Sequence, residues 1–269
     1  MDKIEVTDDQ VLPMDAIAPG VHGLRIAFVN VFGITHPDGS WTLVDAAIPF
    51  SAGRIKSWAE TTFGSAPNAI VLTHGHFDHV SAAKELAEEW EVPVYAHPLE
   101  VPYLSGQKEY PPPNAGAGGG AMSLLSPMLP RGPIDLGPRL RTLRGDDGDV
   151  RELPGWTLLQ TPGHTPGHVS FWRESDRTLL PGDAFCTTKA ESFFEASIAQ
   201  KVELHGSPAY FTSDWESARA SVERLARLDP AVVAPGHGKP LAGDGVAEAL
   251  RQLAARFDAV AVPENVKEA

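Results

Sequence analysis

The run Thr73-His74-Gly75-His76-Phe77-Asp78-His79 puts three imidazoles and a carboxylate within six residues, where an apolar strand pattern meets a helical one. Imidazole nitrogen and carboxylate oxygen are ligands shared by zinc, iron and manganese sites. Two residues apart in extended backbone, His74 and His76 point the same way and can grip one ion. Asp78 and His79 follow the turn and can face a second position. Asp78 also suits a helix N-cap, but beside three histidines a ligand is the better reading.

Three more clusters share this texture, each a turn of small residues directly after an apolar strand. They are Thr161-Pro162-Gly163-His164-Thr165-Pro166-Gly167-His168, Pro181-Gly182-Asp183 and Pro235-Gly236-His237-Gly238. Glycine and proline fix such turns, so a ligand there has rigid support and stays open to solvent, as a catalytic metal requires. His168 follows His164 at helical spacing, yet Pro166 argues against a helix, so a hydrogen-bonding role beside the site is expected. His22, His36 and His97 lack partners in sequence and read as structural histidines. His205 sits in a loop that could reach the site.

The elements that must position these groups alternate between β-rich and amphipathic helical runs, with no fixed-period repeat. Residues 25–34 and 41–45 read as strands joined at Pro37-Asp38-Gly39. Residues 51–63 read as a helix ended by Gly64, 69–73 as a strand, 79–90 as a helix and 93–96 as a strand. Strand patterns resume at 156–161, 168–172, 177–180 and 231–234. A helix over 214–228 opens on a capping box, Ser213 with Glu216, and a last helix covers 245–260. Residues 98–148 break the rhythm with Pro111-Pro112-Pro113, a glycine-rich stretch at 115–120, and then Met122, Leu124, Leu125 and Met128. So long a loop reads as a surface insertion or as a lid or pocket wall. No linker divides the chain, and one domain over residues 1–269 is expected.

Composition narrows the function classes. The chain of 269 residues is 42% apolar and 21% charged, ordinary for a globular protein with a sizeable core. With 22 basic against 35 acidic residues its formal charge is −13, wrong for gripping a phosphate backbone. Apolar runs are too short to cross a bilayer, and Met1-Asp2-Lys3-Ile4-Glu5 lacks the basic start of a signal peptide. Cys186 is the lone cysteine, which fits a reducing cytoplasm. The expected partner is a small-molecule substrate, with no nucleic acid and no membrane; a homodimer is compatible with all of this.

Taken in order, H-x-H-x-D-H, T-P-G-H-T, G-D and G-H-G resemble the metallo-β-lactamase superfamily over nearly the whole chain. The resemblance implies an α/β fold, a four-layer αββα sandwich with the site at one edge of its sheets. It implies that His74, His76 and His164 hold one metal, that Asp78, His79 and His237 hold a second, and that Asp183 bridges them. Asp45, in Leu43-Val44-Asp45, resembles the family's first motif and would support the ligands. Two divalent ions are implied, zinc first, with iron or manganese as alternatives. Cations about 3.5–4 Å apart share a water whose pKa falls toward neutrality, giving a hydroxide for hydrolysis. Asp78 and Asp183 are the candidates for proton handling.

Branches of the family differ at a few positions. The sequence T-P-G-H-T-P-G-H is similar to acyl-homoserine-lactone lactonases, but Cys186 stands where they carry tyrosine. Gly75 departs from the H-H-H-x-D-H of glyoxalase II thioesterases, and Asp183 from class B3 β-lactamases. Flavodiiron enzymes have glutamate at the position of His76, and persulfide dioxygenases use fewer ligands around a single iron. The expectation is a dinuclear hydrolase of a small carbonyl ester, lactone or thioester. The alternatives are a mononuclear iron dioxygenase-like oxidoreductase, or a β-lactamase or phosphodiesterase of the same fold.

Overall fold

Neighbouring residues on the central strands are both apolar, so these strands must bury both faces. In the computed structural model, which describes residues 4–6, 8–117, 121–190 and 202–267, they do. Val31, Leu43 and Ile70 join one core, whereas their neighbours Phe32, Val44 and Val71 join another. Leu158, Phe171 and Leu180 meet the latter from the opposite side, while Leu159, Trp172 and Leu179 turn away into a third core. Period-two alternation thus yields two facing sheets with a shared interior.

The first sheet runs Val21–Ile26, Val29–Thr35, Trp41–Val44, Ala69–Val71, Val94–Ala96 and Leu140–Thr142, antiparallel at first and parallel from Trp41–Val44 onward. The second runs Leu241–Ala242, Val232–Val233, Thr178–Leu180, Val169–Arg173, Leu153–Gln160 and Gly148–Val150. Helices Ala52–Phe63 and Ala83–Trp90 cover the outside of the first sheet through Ile55, Ala59, Ala83 and Leu86. Trp215–Ala226 and Asp244–Ala255 cover the second through Val222, Leu225, Leu250 and Leu253. Three cores between four layers make the αββα sandwich. Among the described residues, no helix is long and apolar enough to cross a membrane.

Several expected elements are corrected. The single strand over 25–34 is a hairpin, because Ala27 takes a left-handed φ of 55° and folds Val29–Thr35 back on Val21–Ile26. The helix over 79–90 is two pieces, Phe77–Val80 and Ala83–Trp90, and Asp78 lies inside the first rather than capping it. The last helix is likewise split, into Asp244–Ala255 and Phe257–Val260. The helix after Ser213 is capped one residue later, by Asp214 accepting from the Ser217 amide, so the Ser213–Glu216 box does not form. Residues 98–148 are not a bare loop. They contain the turns Val101–Leu104 and Ala121–Leu125 and the edge strand Leu140–Thr142. Residues 118–120 of the glycine run lie outside the described residues, as does the side chain of Met122.

Candidate metal centre

Each chemical cluster follows the C-terminal end of a strand: Asp45 after Trp41–Val44, residues 73–79 after Ala69–Val71, residues 161–168 after Leu153–Gln160, Asp183 after Thr178–Leu180, and His237 after Val232–Val233. These ends lie together at one edge of the sandwich. Their donor atoms converge into three overlapping groups, His74 with His76 and His164, His74 with His79 and Asp183, and Asp78 with His79 and His237, each within 4.8 Å. All seven expected ligands are thereby brought together. Asp183 Oδ2 lies 3.6 Å from His164 Nε2, 3.4 Å from His79 Nε2 and 3.0 Å from His237 Nε2, so it stands between the two ends of the cluster.

The surroundings decide which nitrogen each ring presents. Thr73 Oγ1 donates to Asp45 Oδ2 and so accepts from His74 Nδ1 at 3.1 Å, which leaves the His74 Nε2 lone pair facing inward. Asp45 Oδ2 accepts a hydrogen bond from His79 Nδ1 at 2.8 Å. His237 Nδ1 donates to the Phe28 carbonyl at 2.9 Å. Thr212 Oγ1 donates to the Pro208 carbonyl and so accepts from His164 Nδ1. His76 alone turns Nδ1 inward, 2.9 Å from His164 Nε2. Outward-tied N–H groups and inward lone pairs are how metal-ligating histidines are oriented. His74 Nε2, His79 Nε2, His237 Nε2 and Asp183 Oδ1 are buried without a hydrogen-bond partner. Such orphans are costly unless something else satisfies them, and an acceptor set of imidazole and carboxylate fits divalent transition-metal ions.

Electrostatics divide the centre. Burial pushes His74 and His164 well below the ordinary imidazole range, helped by neighbouring histidines, and takes His76 to about 3. Burial acts the same way on His79 and His237, but the Asp183 carboxylate, with Asp45 and Asp78 around His79, outweighs it and raises both. Burial would raise Asp183, yet His237 and His79 hold it well below the carboxylate range; Asp78 is raised by burial.

His168 does not join the ligands. Its Nδ1 donates to the Thr161 carbonyl at 3.0 Å and its Nε2 accepts the Asp183 amide at 2.9 Å, so it steadies the turn that carries Asp183. His22 bonds the Asp15 carbonyl, His36 bonds Thr42, and His97 accepts the Leu99 amide, all away from the cluster. His205 pairs with Glu203 at 3.2 Å and belongs to none of the ligand groups. Sequence reasoning missed Glu100, which is fully buried and accepts the amides of Gly75 and Gly167, and Tyr110, which donates to it. A lone glutamate and a lone tyrosine in an irregular segment carry no local signal.

A family model described as the metallo-beta-lactamase superfamily matches residues 24–237. The chain is 44% identical over 247 residues to the probable metallo-hydrolase YflN of Bacillus subtilis (strain 168), covering 90% of this chain and 93% of that one. Probable metallo-hydrolase YybB of the same organism is 30% identical over 175 residues, 65% of this chain and 66% of that one. Among solved structures, TTHA1623 in a di-iron-bound form is similar with a TM-score of 0.55 at 27% identity, over 82% of this chain and 93% of that chain. A beta-lactamase domain protein from Burkholderia ambifaria reaches a TM-score of 0.61 at 24% identity, over 94% and 79%, a likeness of fold alone.

Proposed function

The chain belongs to the metallo-beta-lactamase superfamily and is a metallo-hydrolase, and from that premise we propose that it uses two divalent ions to cleave a small ester, lactone or thioester. The observation that carries this reading is the convergence of one inward-facing ring nitrogen from each of five histidines with the carboxylates of Asp78 and Asp183. His74, His76 and His164 would hold one ion, and Asp78, His79 and His237 the other, with Asp183 between them. Bound there, the ions supply Lewis acidity and a water of lowered pKa. Asp78 and Asp183 line the same space and are the groups able to hold a proton there. Zinc is the first assignment; iron is the second reading, favoured by the di-iron form of the similar TTHA1623.

Several features support a small carbonyl substrate. A net charge of −13 disfavours a long polyanion. The rings of Tyr110 and Phe211 stand 4.6 and 4.7 Å from that of His76, giving one end of the centre an aromatic wall. Leu124, Leu125 and Met128 are exposed apolar side chains in the 98–148 segment, which we assign to the substrate pocket. Cys186 is fully buried on Phe185–Cys186, so no phenol donor of the lactonase kind stands at that position. Metal analysis of protein purified without added metal should give two ions per chain, and a panel of esters, lactones and thioesters should show chelator-sensitive turnover. One ion per chain, unchanged after reconstitution, would refute the dinuclear centre. Cleavage of RNA or DNA with no carbonyl hydrolysis would refute the substrate class.

A further inference from the structure

We propose that Glu100 and Tyr110, both from the irregular 98–148 segment, form a clamp that sets the spacing of the first metal site by holding its two histidine loops together. The proposal rests on the metal centre described above. Glu100 is fully buried, and its two carboxylate oxygens reach different loops. Oε2 accepts the Gly75 amide at 2.9 Å, between His74 and His76, and Oε1 accepts the Gly167 amide at 2.7 Å, in the loop of His164. One rigid carboxylate therefore spans the two segments whose histidines must meet on one ion. Tyr110 donates its hydroxyl to Oε2, stacks on Tyr103 at 4.0 Å, and meets the His76 ring edge-on with the ring centres 4.6 Å apart.

The two glycines record the same closeness. A Cβ on Gly75 would collide with Tyr110 Oη, and one on Gly167 would come 2.8 Å from Glu100 Cγ. The middle position of H-x-H is thus empty because a side chain from the 98–148 segment fills its space. Three donors converge on an acceptor-only group, so a glutamine at this position must turn its own N–H toward one of them. Glu100 bonds the two loop amides and Tyr110 acts through Glu100 and its ring contact with His76, which makes them positioning residues.

The test compares wild-type protein with Glu100→Gln and Tyr110→Phe. Ion affinity is read stepwise by titrating zinc and cobalt against a chromophoric chelator, and backbone hydrogen exchange is read on the metal-free proteins. Glu100→Gln should weaken the first ion by about 10–100-fold, the usual range for losing an outer partner of a ligand. Tyr110→Phe should weaken it less, and both should leave the second ion within about threefold of wild type. The Gly75 and Gly167 amides should exchange faster in metal-free Glu100→Gln. Equal loss at both ions would mark general destabilisation and overturn the clamp, as would wild-type affinity and exchange in both variants. A wild-type protein that binds no ion would refute the metal centre itself, an outcome visible before any variant is compared.

Discussion

Asp45→Asn isolates what the support beneath the ligands contributes. Asp45 sits at a left-handed φ of 63°, which asparagine also tolerates, so the backbone turn should survive. Its Oδ1 can go on accepting the Thr73 amide at 2.8 Å. The new amide nitrogen then replaces Oδ2, which accepts both the Thr73 hydroxyl and the His79 Nδ1 proton at 2.8 Å. An N–H cannot accept, so His79 must meet it with the Nδ1 lone pair and carry its proton on Nε2. Nε2 is the atom aimed at the proposed second metal position, and a protonated Nε2 cannot ligate. Loss of such a partner weakens metal binding by about 10–100-fold, or roughly 1.4–2.7 kcal/mol. The first ion should suffer less, because His74 reaches Asp45 only through Thr73. Stepwise ion affinities from chelator competition measure both effects. A second-ion affinity within about twofold of wild type, well short of the expected loss, would show that Asp45 does not set the His79 tautomer.

Other substitutions test neighbouring parts of the same reasoning. His168→Ala should keep both ions with a partial loss of activity, whereas His164→Ala should lose the first ion; elemental analysis giving the reverse would exchange their roles. Replacing Leu124 and Leu125 with serine should raise KM or shift substrate preference at unchanged metal content, and unaltered kinetics on a good substrate would remove the 98–148 segment from the pocket. Without metal, burial favours the neutral form of His74, His76 and His164, whereas the Asp183 carboxylate makes His79 and His237 hold their protons more strongly. The second ion should therefore displace more protons than the first, so second-ion affinity should rise more steeply with pH. Calorimetry in buffers of different ionisation enthalpy counts the protons released, and equal release at both steps would contradict that division.

The histidine and aspartate cluster was legible because its chemistry is local. Histidine and aspartate on Gly- and Pro-bearing turns after apolar runs are recognisable from a few consecutive residues, and the fold brings His74, His76, Asp78, His79, His164, Asp183 and His237 together. The paired apolar residues on the strands likewise imply sheets buried on both faces. Local patterns failed where the backbone was bent without an announcing residue. Ala27 and Phe28 turn the first hairpin with neither glycine nor proline, and Ser81 and Ala82 interrupt a helix whose apolar spacing continues across the break.

Tertiary structure alone decided how the clustered side chains are held. His237 is oriented by the Phe28 carbonyl on a hairpin 209 residues earlier in the chain, and His164 by Thr212, 48 residues later. Glu100 joins Gly75 to Gly167 from a segment with no regular pattern. Residue type states which atoms can bind a metal, and short-range spacing states which side of a strand or turn carries them. The choice between Nδ1 and Nε2, and the distance between two ligand loops, depend on hydrogen bonds that exist only after remote segments have packed. A pattern confined to neighbouring residues contains no trace of such contacts.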